Sequence, residues 1–203
     1  MKQFFVTGIS TDVGKTITSA VLVEALEADY WKPVQTGDDS DSETISNLIS
    51  NTKTVLHKSS YSLKAPMSPH AAAALEGVYI DHNKIQEPKT ENHLVIEGAG
   101  GVLVPLNDSD TLLDIIMPTY HVVVVVKHYL GSINHSLLTI KWLLLKGYDV
   151  AILFNGEPNK ASEDIITKIT GVPVLGRIGQ EATLTKEVVK KYAEQLRPAL
   201  MAW

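Results

Sequence analysis

The segment Gly8-Ile9-Ser10-Thr11-Asp12-Val13-Gly14-Lys15-Thr16 constrains this chain more than any other. It follows Phe4-Phe5-Val6, an aromatic and β-branched run of the kind that forms a buried strand. It precedes Ile17, Val21, Leu22, Ala25 and Leu26, whose spacing predicts a helix from Lys15 to about Ala28. A glycine-bounded loop between strand and helix lets successive backbone N–H groups turn inward onto phosphates. The positive end of the helix dipole adds to the same site. Lys15 is placed to reach β- and γ-phosphates, and the Thr16 hydroxyl to ligate Mg²⁺. Five residues separate Gly8 from Gly14, one more than is usual for such loops.

The rest of the chain extends this beginning. Strands are expected at Tyr30 to Val34, Leu94 to Ile96, Val122 to Val126, Val150 to Phe154 and Val172 to Leu175. Helices are expected near 132–147 and 160–170 and from Leu184 to Leu196. Continuous apolar strands separated by helices indicate an α/β fold, a mostly parallel sheet with helices on both faces. Residues 51–93, with Pro66, Pro69 and Gly77, show no steady period. With no linker in view, residues 1–203 read as a single domain.

Composition removes several kinds of function. There are no cysteines, so thiol nucleophiles, thiolate zinc sites and disulfides are excluded. That usage fits a reducing compartment. A net charge of -5 argues against a nucleic-acid partner, which calls for a basic footprint. No signal-peptide pattern opens the sequence, and apolar runs such as Val122 to Val126 fall far short of the ~20 residues that span a bilayer. The expected setting is the cytoplasm, away from any membrane. His121, His128 and His135 recur every seven residues, yet a strand between the first two holds them ~23 Å apart, too far for a shared metal.

Three further stretches bear on chemistry. In Leu94-Val95-Ile96-Glu97-Gly98-Ala99-Gly100-Gly101, an acid ends a buried strand, where open α/β sheets bind ligands and where phosphate-loop enzymes hold Mg²⁺. In Trp31-Lys32-Pro33-Val34-Gln35-Thr36-Gly37, the proline keeps Lys32 extended, and a cation there would stabilise charge in phosphoryl transfer. Taken alone, Lys32 also reads as a solvated surface charge. The acidic run Asp38-Asp39-Ser40-Asp41-Ser42-Glu43 leads into Ile45, Leu48 and Ile49, and reads either as a helix cap or as the source of one carboxylate for Mg²⁺.

Taken together, these pieces resemble the dethiobiotin synthetases, a phosphate-loop family. The likeness runs nearly end to end and rests on Gly8 to Thr16, Lys32 to Gly37, Ser68-Pro69-His70, Val95 to Gly101 and Leu130-Gly131-Ser132-Ile133-Asn134-His135. The resemblance implies a phosphate-loop nucleotide-hydrolase fold and MgATP-dependent ring closure. The substrates would be 7,8-diaminononanoate, CO₂ or bicarbonate and ATP, and the products dethiobiotin, ADP and phosphate.

Residue roles follow from the same likeness. Lys32 and Lys15 would be catalytic. Thr16, Asp41 and Glu97 would hold Mg²⁺, with Asp39 and Glu43 as competitors for the place of Asp41. Asp12, Val13, Gly14, Lys15, Thr16, Ile17, Asp41, Glu97, Gly98, Ala99 and Gly100 would line the nucleotide. Asn155 would read the adenine, and Gly156 would lie at the nucleotide beside it. Gly179, Gln180 and Glu181 would lie beside the nucleotide too, although Ile178-Gly179 stands where the family commonly has Ile-Pro. Thr11, Thr36, Gly131 and Asn134 would face the diamine. The family is also dimeric, which offers a cover for the apolar helix near 132–147.

Two rival readings fail on the residues. A cobyrinate-type amide synthase needs a glutaminase nucleophile that a cysteine-free chain does not supply. A partitioning ATPase or GTPase switch gives no role to Lys32 or Ser68-Pro69-His70, and Asn159-Lys160-Ala161-Ser162 lacks the acid of a guanine-reading motif.

Overall fold

A computed structural model of the chain describes residues 1–38 and 40–203. Seven strands form the main sheet: β1 (Gln3–Gly8), β2 (Asp29–Trp31), β4 (Leu56–His57), β6 (Leu94–Glu97), β7 (His121–Lys127), β8 (Asp149–Asn155) and β9 (Val174–Ile178). Their order is β4-β2-β6-β1-β7-β8-β9, and each pairing is parallel. A second, two-stranded parallel sheet joins β3 (Val34–Thr36) to β5 (Tyr61–Leu63).

The helices are α1 (Lys15–Leu26), α2 (Asp41–Leu48), α3 (Pro69–Leu75), α4 (Ser132–Leu145), α5 (Lys160–Thr170) and α6 (Lys186–Ala202). Every residue from Val122 to Val126 has 0% exposure. Successive strand side chains point to opposite faces, so both faces of the sheet are covered, as expected. Helix α1 packs with α2 and α6, while α4 packs with α5. A smaller core of Val34, Leu63, Ala72, Ala73, Ile80, Leu106 and Leu112 forms beside the second sheet.

Several boundaries differ from the sequence reading. Helix α1 stops at Leu26 because Glu27 takes a left-handed cap at φ 50°. The strand expected from Tyr30 to Val34 is two strands in two sheets. Pro33 has no N–H to donate to a ladder, and the chain leaves the main sheet at Lys32. The strand expected at Val172 to Leu175 instead occupies Val174–Ile178, after Pro173. Helix α6 begins two residues later and ends later than expected, because Val189, Tyr192, Ala193, Leu196 and Leu200 continue one buried face past Pro198. The unperiodic stretch 51–93 holds β4, β5, α3 and a 3₁₀ turn at His82–Lys84, each too short to show a period.

Candidate active site

The carboxyl ends of β1, β2 and β6 meet at one crevice, the place where open α/β sheets take ligands. A cleft of about 800 Å³ opens there. It is lined by Thr11, Asp12, Gly14, Lys15, Thr16, Ile17, Lys32, Asp41 and Glu97, with Ala99 and Gly100. Gln35 and Thr36 also line it, and Pro66, Met67, Ser68, Pro69 and Val104 complete it.

The phosphate loop is shaped by two glycines. A Cβ on Gly8 would lie 2.5 Å from Val13 Cγ2 and 2.8 Å from the Ser10 carbonyl oxygen. Gly14 has φ +93°, and a Cβ there would lie 2.1 Å from Asn155 Nδ2. That closeness has a partner contact, because the Asn155 amide donates to the Val13 carbonyl at 2.7 Å. Lys15 is buried and reaches back to the Ser10 carbonyl. Burial lowers the pKa of its ammonium, and Lys32 pushes the same way against the pull of Glu97 and Asp41.

The centre of the site is a hydroxyl, two carboxylates and an ammonium. Thr16 Oγ1 lies 2.8 Å from Asp41 Oδ1 and 2.9 Å from Glu97 Oε1. Lys32 Nζ pairs with Asp41 Oδ2 and lies 3.4 Å from Glu97 Oε1. The parallel register sets this up: Trp31 pairs with Ile96, so Lys32 and Glu97 come next along adjacent strands. Burial lowers the Lys32 pKa, but Glu97 and Asp41 outweigh it, so the ammonium sits above its ordinary value and stays protonated. The structure thus supports the buried, paired reading of Lys32 over the solvated one. Tyr30, one residue before Trp31, donates to Glu97 Oε2 at 3.0 Å. Burial, Glu97 and Asp41 raise its phenol well above the ordinary value.

The donor set suits a hard divalent cation. A hydroxyl carries one proton, so Thr16 cannot satisfy both neighbouring carboxylate oxygens at once. Three oxygens from different parts of the chain therefore crowd together, one of the carboxylate contacts to Thr16 being left without a proton. Among the described residues, no three His, Cys, Asp or Glu side chains form a cage. That also fits Mg²⁺, which keeps several waters and takes one or two carboxylates together with substrate phosphates.

Among the candidates for the metal-binding acid, Asp41 opens α2 and meets Thr16 and Lys32. Glu43 is exposed, with its backbone N–H on the Ser40 cap, and Asp39 lies outside the described residues. Val13 is buried behind the loop, and Gly98 is buried with its N–H on the Val6 carbonyl. Asn155 ends β8 against the phosphate loop, and Gly156 follows it with its N–H on the Ile178 carbonyl. Gly179 donates its N–H to the Tyr192 hydroxyl, which in turn donates to Glu181, while Gln180 is exposed. Gly131 caps α4 and Asn134 lies on it. Asn134 lines a separate shallow groove with Leu137, Leu138, Lys141, Trp142 and Leu145, rather than the main cleft.

The three histidines are engaged separately, His121 with Asp149, His128 with Glu163 and His135 with Tyr129. Sequence reasoning did not single out Tyr30, Pro66, Met67 or Val104. Tyr30 gives no sequence signal of its own, since the register between β2 and β6 is what brings it to Glu97.

Comparison with known proteins agrees with this geometry. A family model described as an AAA domain matches residues 2–188. An ATP-dependent dethiobiotin synthetase BioD of Christiangramia forsetii is 48% identical over 202 residues, covering 98% of each chain. One from Cytophaga hutchinsonii is 52% identical over 200 residues, covering 97% of each. Among solved structures, a plasmid partition protein from Borrelia burgdorferi matches with a TM-score of 0.64 at 14% identity, over 99% of this chain and 98% of that one. At that identity the likeness is one of fold. Near-complete coverage at about half identity shows more, and the chain belongs to the ATP-dependent dethiobiotin synthetase family.

Proposed function

We propose that the chain carboxylates 7,8-diaminononanoate and closes its ureido ring with ATP and CO₂, giving dethiobiotin, ADP and phosphate. The observation that carries this reading is Lys32, a buried cation held between Asp41 and Glu97 at the floor of a cleft that also contains the phosphate loop. One substrate amine takes up CO₂ as a carbamate and releases a proton. A carbamate oxygen attacks the γ-phosphorus, and ADP leaves. The second amine then attacks the carbonyl carbon of the carbamic-phosphoric anhydride, and phosphate departs as the ring closes. Phosphate makes the leaving group, so no protein nucleophile is needed.

Each residue has a place in this scheme. Lys15 and the N-terminus of α1 hold the phosphates. Lys32 offsets the repulsion between carbamate and γ-phosphate and stabilises charge as the phosphoryl group moves. Thr16, Asp41 and Glu97 would hold Mg²⁺, which when bound neutralises phosphate charge. The apolar wall of Pro66, Met67, Pro69 and Val104 suits an aliphatic diamine, with Thr11 and Thr36 at its polar end. Asn155, fixed on the Val13 carbonyl, is read as the residue that meets adenine. Gly156 and residues 179–181 are read as its neighbours at the nucleotide.

The same reading takes residues 1–203 as one catalytic domain working in the cytoplasm. No helix among the described residues is long and apolar enough to cross a membrane. It also takes the chain as a homodimer. Leu138 is 63% exposed and Leu145 75%, and a second copy would cover them on α4 and bring Gly131 and Asn134 to the subunit boundary.

The deciding experiment is a phosphate-release assay with ATP and Mg²⁺. Release that requires both the diamine and bicarbonate, with dethiobiotin formed in equal amount, supports the reading. Hydrolysis indifferent to the diamine would point to a nucleotide switch instead.

A further inference from the structure

Glu97 has two carboxylate oxygens in different surroundings. Oε1 faces the reaction centre, 2.9 Å from Thr16 Oγ1 and 3.4 Å from Lys32 Nζ. Oε2 turns away from it and accepts the Tyr30 hydroxyl at 3.0 Å. Tyr30 has 0% exposure and Glu97 1%, so water does not compete for this contact. Tyr30 pairs with Val95 in the parallel ladder, which puts Tyr30, Val95 and Glu97 on one face of adjacent strands, with Lys32 just past the end of β2.

We propose that Tyr30 is a positioning residue: its hydroxyl holds Glu97 Oε2 so that Oε1 alone is offered to the Thr16 side, where the divalent cation would sit. Without that hydroxyl, both oxygens are released to Lys32. A carboxylate that turns both oxygens to the ammonium forms a closed ion pair and withdraws a ligand from the metal. Tyr30 thus keeps Glu97 from closing on Lys32 with both oxygens. Hydrogen bonds that orient a ligating carboxylate belong to the same outer shell that fixes metal affinity elsewhere.

The inference rests on reading Glu97 as a metal ligand, and the experiment separates the two. Mn²⁺ serves as the probe, and its binding to the chain with ADP is followed by electron paramagnetic resonance. Tyr30→Phe keeps the ring and removes only the hydroxyl. We expect it to weaken Mn²⁺ binding about 10-fold, with metal-free ADP affinity unchanged and the Mg²⁺ needed for half-maximal turnover raised in step. In a Glu97→Gln background, adding Tyr30→Phe should change Mn²⁺ affinity no further, because the hydroxyl acts through that carboxylate.

A folded Tyr30→Phe with unchanged Mn²⁺ affinity overturns the inference, even if its melting temperature falls. An equal loss in the Glu97→Gln background overturns it as well. If Glu97→Gln alone leaves Mn²⁺ binding intact, the metal-ligand reading fails and takes the inference with it. Should Tyr30→Phe alone not fold, the unsubstituted chain can be labelled with 3-fluorotyrosine. The Tyr30 fluorine signal, identified by its absence from the folded double variant, must then move when Mg²⁺ joins ADP, and a stationary signal overturns the inference.

Discussion

Asn155, the last residue of β8, donates its side-chain amide to the carbonyl of Val13, 142 positions earlier in the phosphate loop, at 2.7 Å. The contact fits only because Gly14 has no side chain. Gly14→Ala would place a Cβ 2.1 Å from Asn155 Nδ2 at a φ of +93°. Strain of this kind costs about 1–3 kcal/mol. Titration calorimetry should show ATP affinity reduced about 5- to 160-fold, in line with that strain. The double variant Gly14→Ala with Asn155→Ala should regain only part, since the clash goes and the strained φ stays.

Lys32→Gln should still bind ATP but lose turnover by about 10²–10³, the size expected for one contact on developing charge. The structure adds a stability effect. With the ammonium gone, buried Glu97 loses a charged partner, and breaking a buried pair costs about 3–5 kcal/mol. The melting temperature should therefore fall and recover on adding Mg²⁺ with ADP. Near-normal ring closure by this variant would contradict the role given to Lys32.

Asp41→Asn should raise the Mg²⁺ concentration for half-maximal activity, whereas Glu43→Gln should not. Asp41 stands 2.8 Å from Thr16 Oγ1, and Glu43 is an exposed side chain on the next part of the same helix. A Mg²⁺ titration of the two variants checks the order, and equal responses would remove Asp41 from the metal set.

Acid stability should depend on Asp29. Burial alone would raise its pKa, but Thr90, the Val55 N–H, His57 and Asn92 all bond to its carboxylate and bring it below the ordinary value. A carboxyl depressed in the folded state binds protons more readily when unfolded. Its stabilisation is thus complete above the unfolded pKa of about 3.9 and is lost as pH falls through the lower folded value. Asp29→Asn should destabilise the chain by about 1–3 kcal/mol at pH 7, and denaturant melts should show a shallower loss of stability toward pH 3.

Sedimentation equilibrium should give about twice the 22.2 kDa chain mass at micromolar concentration. Leu138→Asp on the exposed side of α4 should shift the chain toward monomer while leaving its melting profile cooperative. A wild-type monomer with full activity would contradict the dimer.

What the sequence revealed follows how local each signal is. Gly8 to Thr16 could be read directly, because glycine spacing, a strand before and a helix after all lie within some 25 residues. Lys32 was readable through Pro33, which fixes its backbone, although its burial between two carboxylates was not. Asp41 was named through the resemblance, with Asp39 and Glu43 as competitors, because the acidic run alone does not show that Ser40 caps α2 and turns Asp41 to Thr16. Tyr30 looked like one more apolar strand residue, since its role depends on the register between β2 and β6. Pro66 and Met67 escaped for a different reason. They lie in a connection without periodicity, and only the packing of β5 and α3 brings them to the cleft.

Two residues, Lys32 and Pro33, are all that join β2 in the large sheet to β3 in the small one. The proline ring fixes its own φ, and the Pro33 carbonyl is further tied down by the N–H groups of Ser60 and Tyr61. Such a tether has almost no rotational slack. The wall that carries Thr36 and Pro66 to Pro69 is accordingly geared to the lysine instead of swinging past it as a lid. A shift of the small sheet against the large one would therefore be felt first at Lys32, the residue that spans the two.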